Sequence, residues 1–224
     1  MAKHFKLTNE TKVNFWGVTL YRIECTLDFK WAKCGDKGGW VEKEDNIGDD
    51  AWVYGNAEVY GNAKVSGNAK VSGNAKVSGN AEVYGNAKVS GNAEVYGDAR
   101  VSGNARVSGD AWVYDNAEVS GDAWVSGNAE VYGDARVSGN ARVSGDAWVY
   151  DNADYCCFQS FGSANRTTTV FKQKDGSLRV QCGCFSGTIQ EFAEAVDKTH
   201  GDSKFGKEYR AMIELIKIRF GVKE

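Results

Sequence analysis

The 224-residue sequence contains no proline, although proline usually makes up roughly 5% of a protein. Because proline has no backbone N–H, its absence favours a fold in which nearly every backbone N–H joins a regular hydrogen-bond ladder. Histidine is also scarce, since only His4 and His200 are present. The net charge of -3 argues against both a strongly basic nucleic-acid-binding protein and an acidic tail.

Long apolar segments are missing as well. The first residues, MAKHFKLTNE, lack the apolar core of a signal peptide, and no run approaches the roughly 18 apolar residues of a membrane-spanning helix. We therefore expect a soluble, cytoplasmic protein that does not interact with a membrane. In the cytoplasm, the six cysteines are expected to be thiols rather than disulfides.

A six-residue repeat occupies residues 41–155. Its unit is Gly-Asn/Asp-Ala-x-Val-Ser/Tyr, with valine at every sixth position from Val53 to Val149; Val41 and Ile47 share the phase, which gives about 19 repeats. Ala-x-Val is predicted to be a strand with alanine and valine inward, and Gly-Asn/Asp a corner. Three units close one triangular coil. The predicted fold class is mainly β, a left-handed parallel β-helix of about six coils.

Residues 1–40 are predicted to form an N-terminal β cap, because an open β-helix end would expose unpaired strand groups. The segment shows short strand patterns, and a turn is predicted over residues 35–40. Alternation places six side chains on one strand face: Thr19, Tyr21, Ile23, Cys25, Leu27 and Phe29.

Residues 156–224 are predicted to form a small α+β domain, because the six-residue period stops after Tyr155. Thr188 and Glu191 have the spacing of a capping box, which marks the start of a helix. The predicted elements are strands at 157–161, 166–172 and 177–182, a hairpin turn at 174–176, and helices over 189–198 and from about residue 203.

Four cysteines in this domain form the only cluster that resembles a set of metal ligands: Cys156, Cys157, Cys182 and Cys184. Their CC and CxC spacing differs from the paired CxxC of a zinc ribbon. We interpret them as thiols packed within the domain, and we predict no metal site and no cofactor.

Side chains at the x positions point outward, and positions 18 residues apart stack in successive coils. The first column, the basic face, has like charges in neighbouring coils, which either splay into water or bind an anionic partner such as nucleic acid. Its members are Trp52, Lys70, Lys88, Arg106, Trp124 and Arg142.

The second column, the aromatic face, combines tryptophans with a row of tyrosines. Such residues either stack between coils or form a protein interface, for which homodimerisation is the version we favour. Its outward positions are Glu58, Lys76, Glu94, Trp112, Glu130 and Trp148, flanked by Tyr60, Tyr96, Tyr114, Tyr132 and Tyr150. The third column alternates in sign and is predicted to be a solvated charge ladder: Lys64, Glu82, Arg100, Glu118, Arg136 and Asp154.

Three segments resemble the YdcK-like hexapeptide-repeat proteins of bacterial chromosomes, prophages and phages. They are residues 20–23 with 38–42, the Gly-Asn-Ala-x-Val array, and residues 184–188 with 191–192 and 200–201. The resemblance covers nearly the whole chain. Its phage association implies a role in host interaction within the host cell cytoplasm, and analogy with small, rigid phage proteins points to inhibition of a host defence system such as CRISPR.

An enzyme is the main alternative, because hexapeptide β-helices commonly belong to acyltransferases. Those enzymes use a histidine base at a groove between subunits, and zinc carbonic anhydrases of this fold need several histidine ligands. Here both histidines lie outside the array, which also lacks an extended loop for an acyl donor. We therefore predict no catalytic residues and a non-enzymatic scaffold that binds a host protein or nucleoprotein complex. The alternatives are a nucleic-acid-binding protein and a degenerate acyltransferase-like enzyme.

Overall fold

The computed structural model describes residues 3–222, and its centre is a parallel β-solenoid of about six turns. The predicted fold class is confirmed: the protein is mainly β, with N-terminal strands and a C-terminal antiparallel sheet plus two helices. The solenoid strands are β4 Trp52–Val53, β5 Glu58–Val59, β6 Lys64–Val65, β7 Lys70–Val71, β8 Lys76–Val77, β9 Glu82–Val83, β10 Lys88–Val89, β11 Glu94–Val95, β12 Arg100–Val101, β13 Arg106–Val107, β14 Trp112–Val113, β15 Glu118–Val119, β16 Trp124–Val125, β17 Glu130–Val131, β18 Arg136–Val137, β19 Arg142–Val143 and β20 Trp148–Val149.

These strands form three parallel sheets, one for each side of the coil. Sheet A contains β5, β8, β11, β14, β17 and β20, sheet B runs from β4 to β19, and sheet C runs from β6 to β18. Every array alanine and valine from Ala51 to Val149 is fully buried. The outward residue and the valine form the strand, whereas the alanine belongs to the corner, so each strand has two residues rather than the predicted three.

The backbone of each repeat is bonded to the next coil. For example, the N–H groups of Lys88, Ser90 and Asn92 donate to carbonyls of the following coil at 2.8–2.9 Å. A proline at any of these positions would remove a donor from the ladder. The absence of proline is thus explained by the hydrogen bonding that the structure shows.

The N-terminal strands extend sheet A. Strands β1 (Phe5–Val13), β2 (Thr19–Cys25) and β3 (Lys37–Val41) are antiparallel, and β3 pairs with β5 in parallel. The turn predicted over residues 35–40 is wrong, because β3 occupies most of it. Gly38 and Gly39 serve close packing there, since a Cβ on either would lie 2.4–2.5 Å from a side-chain carbon of the core.

The alternation predicted for the second cap strand is also wrong. A register shift falls between Arg22 and Glu24, and β2 ends at Cys25. As a result, Leu20 is fully buried although it was assigned to the opposite face, while Thr19 is exposed. A bulge breaks the two-residue period, and sequence alternation alone cannot locate it.

The C-terminal sheet, sheet D, has the order β21 (Tyr155–Phe161), β22 (Arg166–Lys172), β23 (Leu178–Cys182) and β24 (Phe185–Gly187), of which β24 was not predicted. Helices α1 (Ile189–His200) and α2 (Lys204–Phe220) follow, and α1 begins with the predicted capping box. Strand β22 faces two cores: Phe171 closes the end of the solenoid core, whereas Val170 packs with the helices. None of the helices in residues 3–222 is both long and apolar enough to cross a membrane.

Asparagines at the corners form hydrogen-bonded ladders along the solenoid. Each side-chain amide donates to the Oδ1 of the residue 18 positions later at 2.8–3.4 Å. A carboxylate can only accept, so each run ends where aspartate replaces asparagine. The runs are Asn56–Asn74–Asn92–Asp110, Asn62–Asn80–Asp98, Asn68–Asn86–Asn104–Asp122, Asn116–Asp134 and Asn128–Asp146.

Replacing Asp98 with asparagine is expected to stabilise the solenoid, because the new amide can donate to Asn116 and join two runs. One added hydrogen bond predicts a gain of about 1 kcal/mol in the free energy of unfolding, measured in denaturant. The reverse change, Asn80→Asp, removes a donor and places two carboxylates in neighbouring coils, so it should destabilise. Equal effects of the two substitutions would contradict the ladder's role.

Candidate functional site

The aromatic face lies on sheet A, in the predicted register. Glu94, Trp112, Glu130 and Trp148 are consecutive outward residues on neighbouring strands. The tyrosines one position beyond each valine stack between coils. Ring centroids are 4.9 Å apart for Tyr96–Tyr114 and Tyr114–Tyr132, with interplanar angles of 4° and 9°, and 5.1 Å for the tilted pair Tyr132–Tyr150.

Stacking does not bury this column. Trp112 is 42% exposed, Trp148 43% and Tyr150 54%. Each tryptophan also contacts a tyrosine: Trp112 meets Tyr96 edge-on at 6.5 Å, and Trp148 lies against Tyr132 at 6.0 Å. The interpretation as cross-coil stacking is therefore correct for the tyrosines, while both tryptophans keep substantial surface in contact with water.

Two patches of identical sequence but different ring geometry make up the exposed part of this face. Patch 1 is Tyr96, Trp112 and Tyr114; patch 2 is Tyr132, Trp148 and Tyr150; the residues correspond at an offset of 36 positions. The same segment, Asp-Ala-Trp-Val-Tyr-Asp, occurs at residues 110–115 and 146–151. Tyr60 lies outside both patches, because Ser78 occupies the next place in its column.

Carboxylates surround the patches. Each tryptophan strand has an aspartate on both sides, and Asp115 takes the left-handed corner position, with φ of 56°, that glycine occupies elsewhere in the array. Glu130 lies between the two tryptophans. It accepts from the Tyr114 hydroxyl at 3.3 Å and pairs with the Lys174 ammonium at 2.6 Å. Glu94 pairs with Lys76 at 3.0 Å.

The environment of the tyrosines raises their pKa values. Burial, reinforced by Glu94, raises the pKa of Tyr96 to about 12. Burial and then Glu130 also raise the pKa values of Tyr114 and Tyr132. Tyr96, Tyr114 and Tyr132 are therefore protonated and uncharged near neutral pH.

These shifts predict a loss of stability at alkaline pH. Because the folded-state pKa values exceed the ordinary tyrosine value of about 10, their stabilising contribution is complete below about pH 10 and decreases as pH rises toward 12. Thermal unfolding should be followed from about pH 9 to pH 12, with tyrosinate absorbance recorded in parallel. The double variant Tyr96→Phe/Tyr114→Phe keeps the stacking rings without the hydroxyls and should lose less stability. An unchanged pH dependence in that variant would contradict the assignment.

The basic face on sheet B is only partly available. Trp52 is 1% exposed, because the cap covers it with Phe29 and His4, so it cannot belong to an anion-binding surface. The Lys70 ammonium lies over the Trp31 ring, 3.1 Å from its centroid. Burial, followed by the charges of Lys88 and Lys30, lowers the pKa of Lys70.

Four outward side chains of sheet B form a row that remains accessible to a partner. Lys88, Arg106 and Arg142 are exposed, and Trp124, 40% exposed, lies between the two arginines and donates to the Ser108 hydroxyl at 3.0 Å. Asn104, Asp122 and Asn140 complete a shallow groove here, so one carboxylate lies among the cations.

On sheet C, the predicted charge ladder runs from Lys64 to Arg136, and two pairs are close: Arg100–Glu82 at 3.8 Å and Arg136–Glu118 at 3.6 Å. Asp154 is not part of it. It lies beyond the last strand and accepts from the Lys172 ammonium at 2.5 Å. Burial acts to raise the pKa of Asp154, but Lys172 and two backbone N–H groups outweigh it and lower the pKa.

His4 lies under the cap beside Trp52, whereas His200 and four of the cysteines belong to the C-terminal domain. The His4 ring nitrogen is 3.0 Å from the Ala51 carbonyl oxygen, and His200 stacks on Tyr209. Cys157 and Cys182 lie on strands separated by β22, and burial raises the pKa of Cys156 to about 11. Within residues 3–222, no group of three or more histidine, cysteine or acidic residues is arranged to hold a metal ion.

Two exposed apolar features were not predicted from the sequence. The β1–β2 loop presents Phe15, 91% exposed, and Trp16, 71% exposed, in an edge-to-face pair 5.2 Å apart. A signal was present, because both aromatics lie between the turn-forming residues Asn14 and Gly17. Helix α2 leaves Leu215 and Ile218 exposed, at 56% and 77%.

A family model described as the YdcK beta solenoid repeat matches residues 99–115, 129–145 and 135–151. The matched residues include both Trp-Val-Tyr strands of the aromatic face. No curated protein matches the chain. The family match and the parallel solenoid together confirm the resemblance predicted from the array: the chain resembles YdcK-type β-solenoid repeat proteins, and the matched residues lie within its solenoid.

Proposed function

We propose that this protein is a non-enzymatic scaffold that binds another protein through the two patches of its aromatic face. The observation that carries the proposal is the pair of tryptophans, each more than 40% exposed and each held against a tyrosine of the stacked column. Tryptophan and tyrosine dominate the binding energy of protein interfaces, particularly where they are rigid before binding. The buried backbone ladder supplies that rigidity.

The target to test is a host protein or nucleoprotein complex in the bacterial cytoplasm, including a defence complex such as CRISPR. This part of the proposal is drawn from the association of YdcK-like repeats with phages and prophages. A homodimer along the same face is the other arrangement. It would bring the acidic borders of two copies together, and like charges across an interface oppose association, so a basic partner fits better.

The direct test is a tagged pull-down from bacterial lysate, with and without nuclease, identified by mass spectrometry. The double variant Trp112→Ala/Trp148→Ala should lose a partner that the native protein retains after nuclease treatment. Trp124→Ala is the matched control, because Trp124 has a similar exposure of 40% on another face. A partner retained by the double variant would contradict the use of this face. Light scattering of the purified protein distinguishes a homodimer.

Nucleic-acid binding is the second candidate, and it rests on Trp124 between Arg106 and Arg142. A base stacked on Trp124 with phosphates at the arginines would match the chemistry of single-strand binding sites. Affinity for a labelled oligonucleotide should then fall steeply with salt and with Trp124→Ala. Absence of binding at low salt would eliminate this candidate.

A further inference from the structure

The two patches of the aromatic face have a fixed separation. They are two coils apart, and strands in a sheet lie about 4.8 Å apart, so equivalent atoms are separated by about 9.6 Å along the solenoid axis. A polyproline II helix advances about 9.3 Å in each turn of three residues. An extended β-strand repeats after about 6.8 Å, and two turns of α-helix after about 10.8 Å. Polyproline II therefore matches the separation of the patches best.

The charges around the patches also restrict the ligand. Asp110 and Asp115 flank Trp112 in the sequence, and Asp146 and Asp151 flank Trp148. The Lys174 ammonium, which reaches Glu130 between the two tryptophans, is already paired with that carboxylate at 2.6 Å. An arginine or lysine over a tryptophan ring gains from the ring's negative face, and adjacent carboxylates add to this attraction. The site is therefore complementary to a cation at each tryptophan.

The outward face of sheet A offers no free backbone groups, because β14 and β17 are paired on both sides, and β20, the last strand, pairs with β17 and is bridged on its other side at Ala147 to Gln173. A ligand that adds a strand to a sheet edge is excluded at this face. Polyproline II needs no backbone partner, since its peptide groups stay in water, and aromatic surfaces are its usual docking sites.

We propose that the aromatic face binds a cationic polyproline II segment that runs along the solenoid axis, with arginine or lysine at every third residue and proline between them. Successive cations stack on Trp112 and Trp148, and the prolines contact the tyrosine column. This inference rests on the proposed function and deepens it by naming the class of segment that a protein partner would present.

The test uses synthetic peptides of about 15 residues, five polyproline II turns. The first peptide repeats Arg-Pro-Pro, and the third repeats Glu-Pro-Pro. The second has the composition of the first with the arginines clustered in groups of at most three, so that no two arginines are three residues apart. A fourth is an alanine-rich helix with arginine at every seventh residue. Affinities are measured with the full chain by fluorescence anisotropy at constant salt.

Two deletions provide matched proteins, because the repeats on both sides of each junction are identical. Removing residues 97–132 joins Tyr96 to Gly133, keeps the local sequence and leaves one Trp-Val-Tyr strand on the aromatic face. Removing residues 55–90 joins Tyr54 to Gly91, shortens the array by the same 36 residues and keeps both patches. Circular dichroism of both deletion variants serves as the check that they fold.

We expect the Arg-Pro-Pro peptide to bind at least about tenfold more tightly than the clustered and helical peptides, because only it places cations in both patches at once. Deleting residues 97–132, or replacing Trp148 with alanine, should reduce its affinity by about five- to tenfold, whereas deleting 55–90 should not. Equal affinity for the Arg-Pro-Pro, clustered and helical peptides would overturn the proposal, as would binding that survives loss of one patch. If no peptide binds but the pull-down still depends on Trp112 and Trp148, this inference fails while the proposed function stands.

Discussion

Replacing Val89 with aspartate is expected to disrupt the solenoid, with a loss of unfolding free energy on the order of 3–5 kcal/mol. Val89 is fully buried and lies between Val71 and Val107 of the neighbouring coils. Its surroundings are alanine and valine, so a carboxylate there has neither water nor a cation nearby. Denaturant unfolding monitored by circular dichroism measures the change.

The control is the adjacent residue. Lys88 is exposed and lies between Lys70 and Arg106, so Lys88→Asp introduces the same carboxylate on the outer surface. It also replaces a repulsive neighbour with an attractive one, and we expect no loss of stability or a small gain. If the two substitutions destabilise equally, the inward and outward positions are misassigned.

Replacing Gly91 with alanine is expected to have the second largest effect. Its φ of 74° is unfavourable for alanine by about 1–2 kcal/mol. In addition, a Cβ there would lie 2.8 Å from the carbonyl oxygen and 2.9 Å from the nitrogen of Gly109 in the next coil. Relieving that contact requires the coils to separate, which should cost a further 1–3 kcal/mol, by roughly the scale of core overpacking.

Gly145 separates these two contributions. Its φ is 68°, but a Cβ there would meet no atom within 4 Å. Gly145→Ala should therefore cost only the backbone term, and the difference from Gly91→Ala, measured by thermal and denaturant unfolding, reports the contact between coils. Equal losses would show that the corners do not pack closely.

Most of the solenoid could be predicted because every repeat has the same pattern of buried, outward and corner residues. The period alone identified the buried alanines and valines, and the offset of 18 residues identified which outward side chains are neighbours. The cap was harder. Nothing in the sequence marks the register shift near Ile23, or shows that Gly38 and Gly39 lie in a strand. Those features depend on contacts with coils distant in sequence.

For the candidate site, the sequence predicted which outward side chains are neighbours but not how exposed each of them is. The columns named from the sequence are those in the structure, yet burial of Trp52 and the placement of Lys70 over Trp31 depend on how the cap folds back. The stacked geometry of Tyr96, Tyr114 and Tyr132 follows from the repeat, whereas the pairing of Glu130 with Lys174 comes from the C-terminal domain.

Because a coil takes three repeats to close, the number of repeats that precede an outward side chain decides on which of the three faces it lies. Inserting a single repeat between Trp112 and Trp148 would move Trp148 from sheet A to sheet C and so separate the two tryptophans. The alanines and valines of the interior would keep their positions. Such an insertion would leave the fold intact but would disrupt a binding surface that spans several coils. The copy of residues 97–117 at 133–153 is offset by 36 residues, two whole coils, so each outward side chain of the copy lies on the same face as the original. We therefore expect the binding function of the surface, rather than the stability of the solenoid, to limit which gains and losses of repeats this chain tolerates.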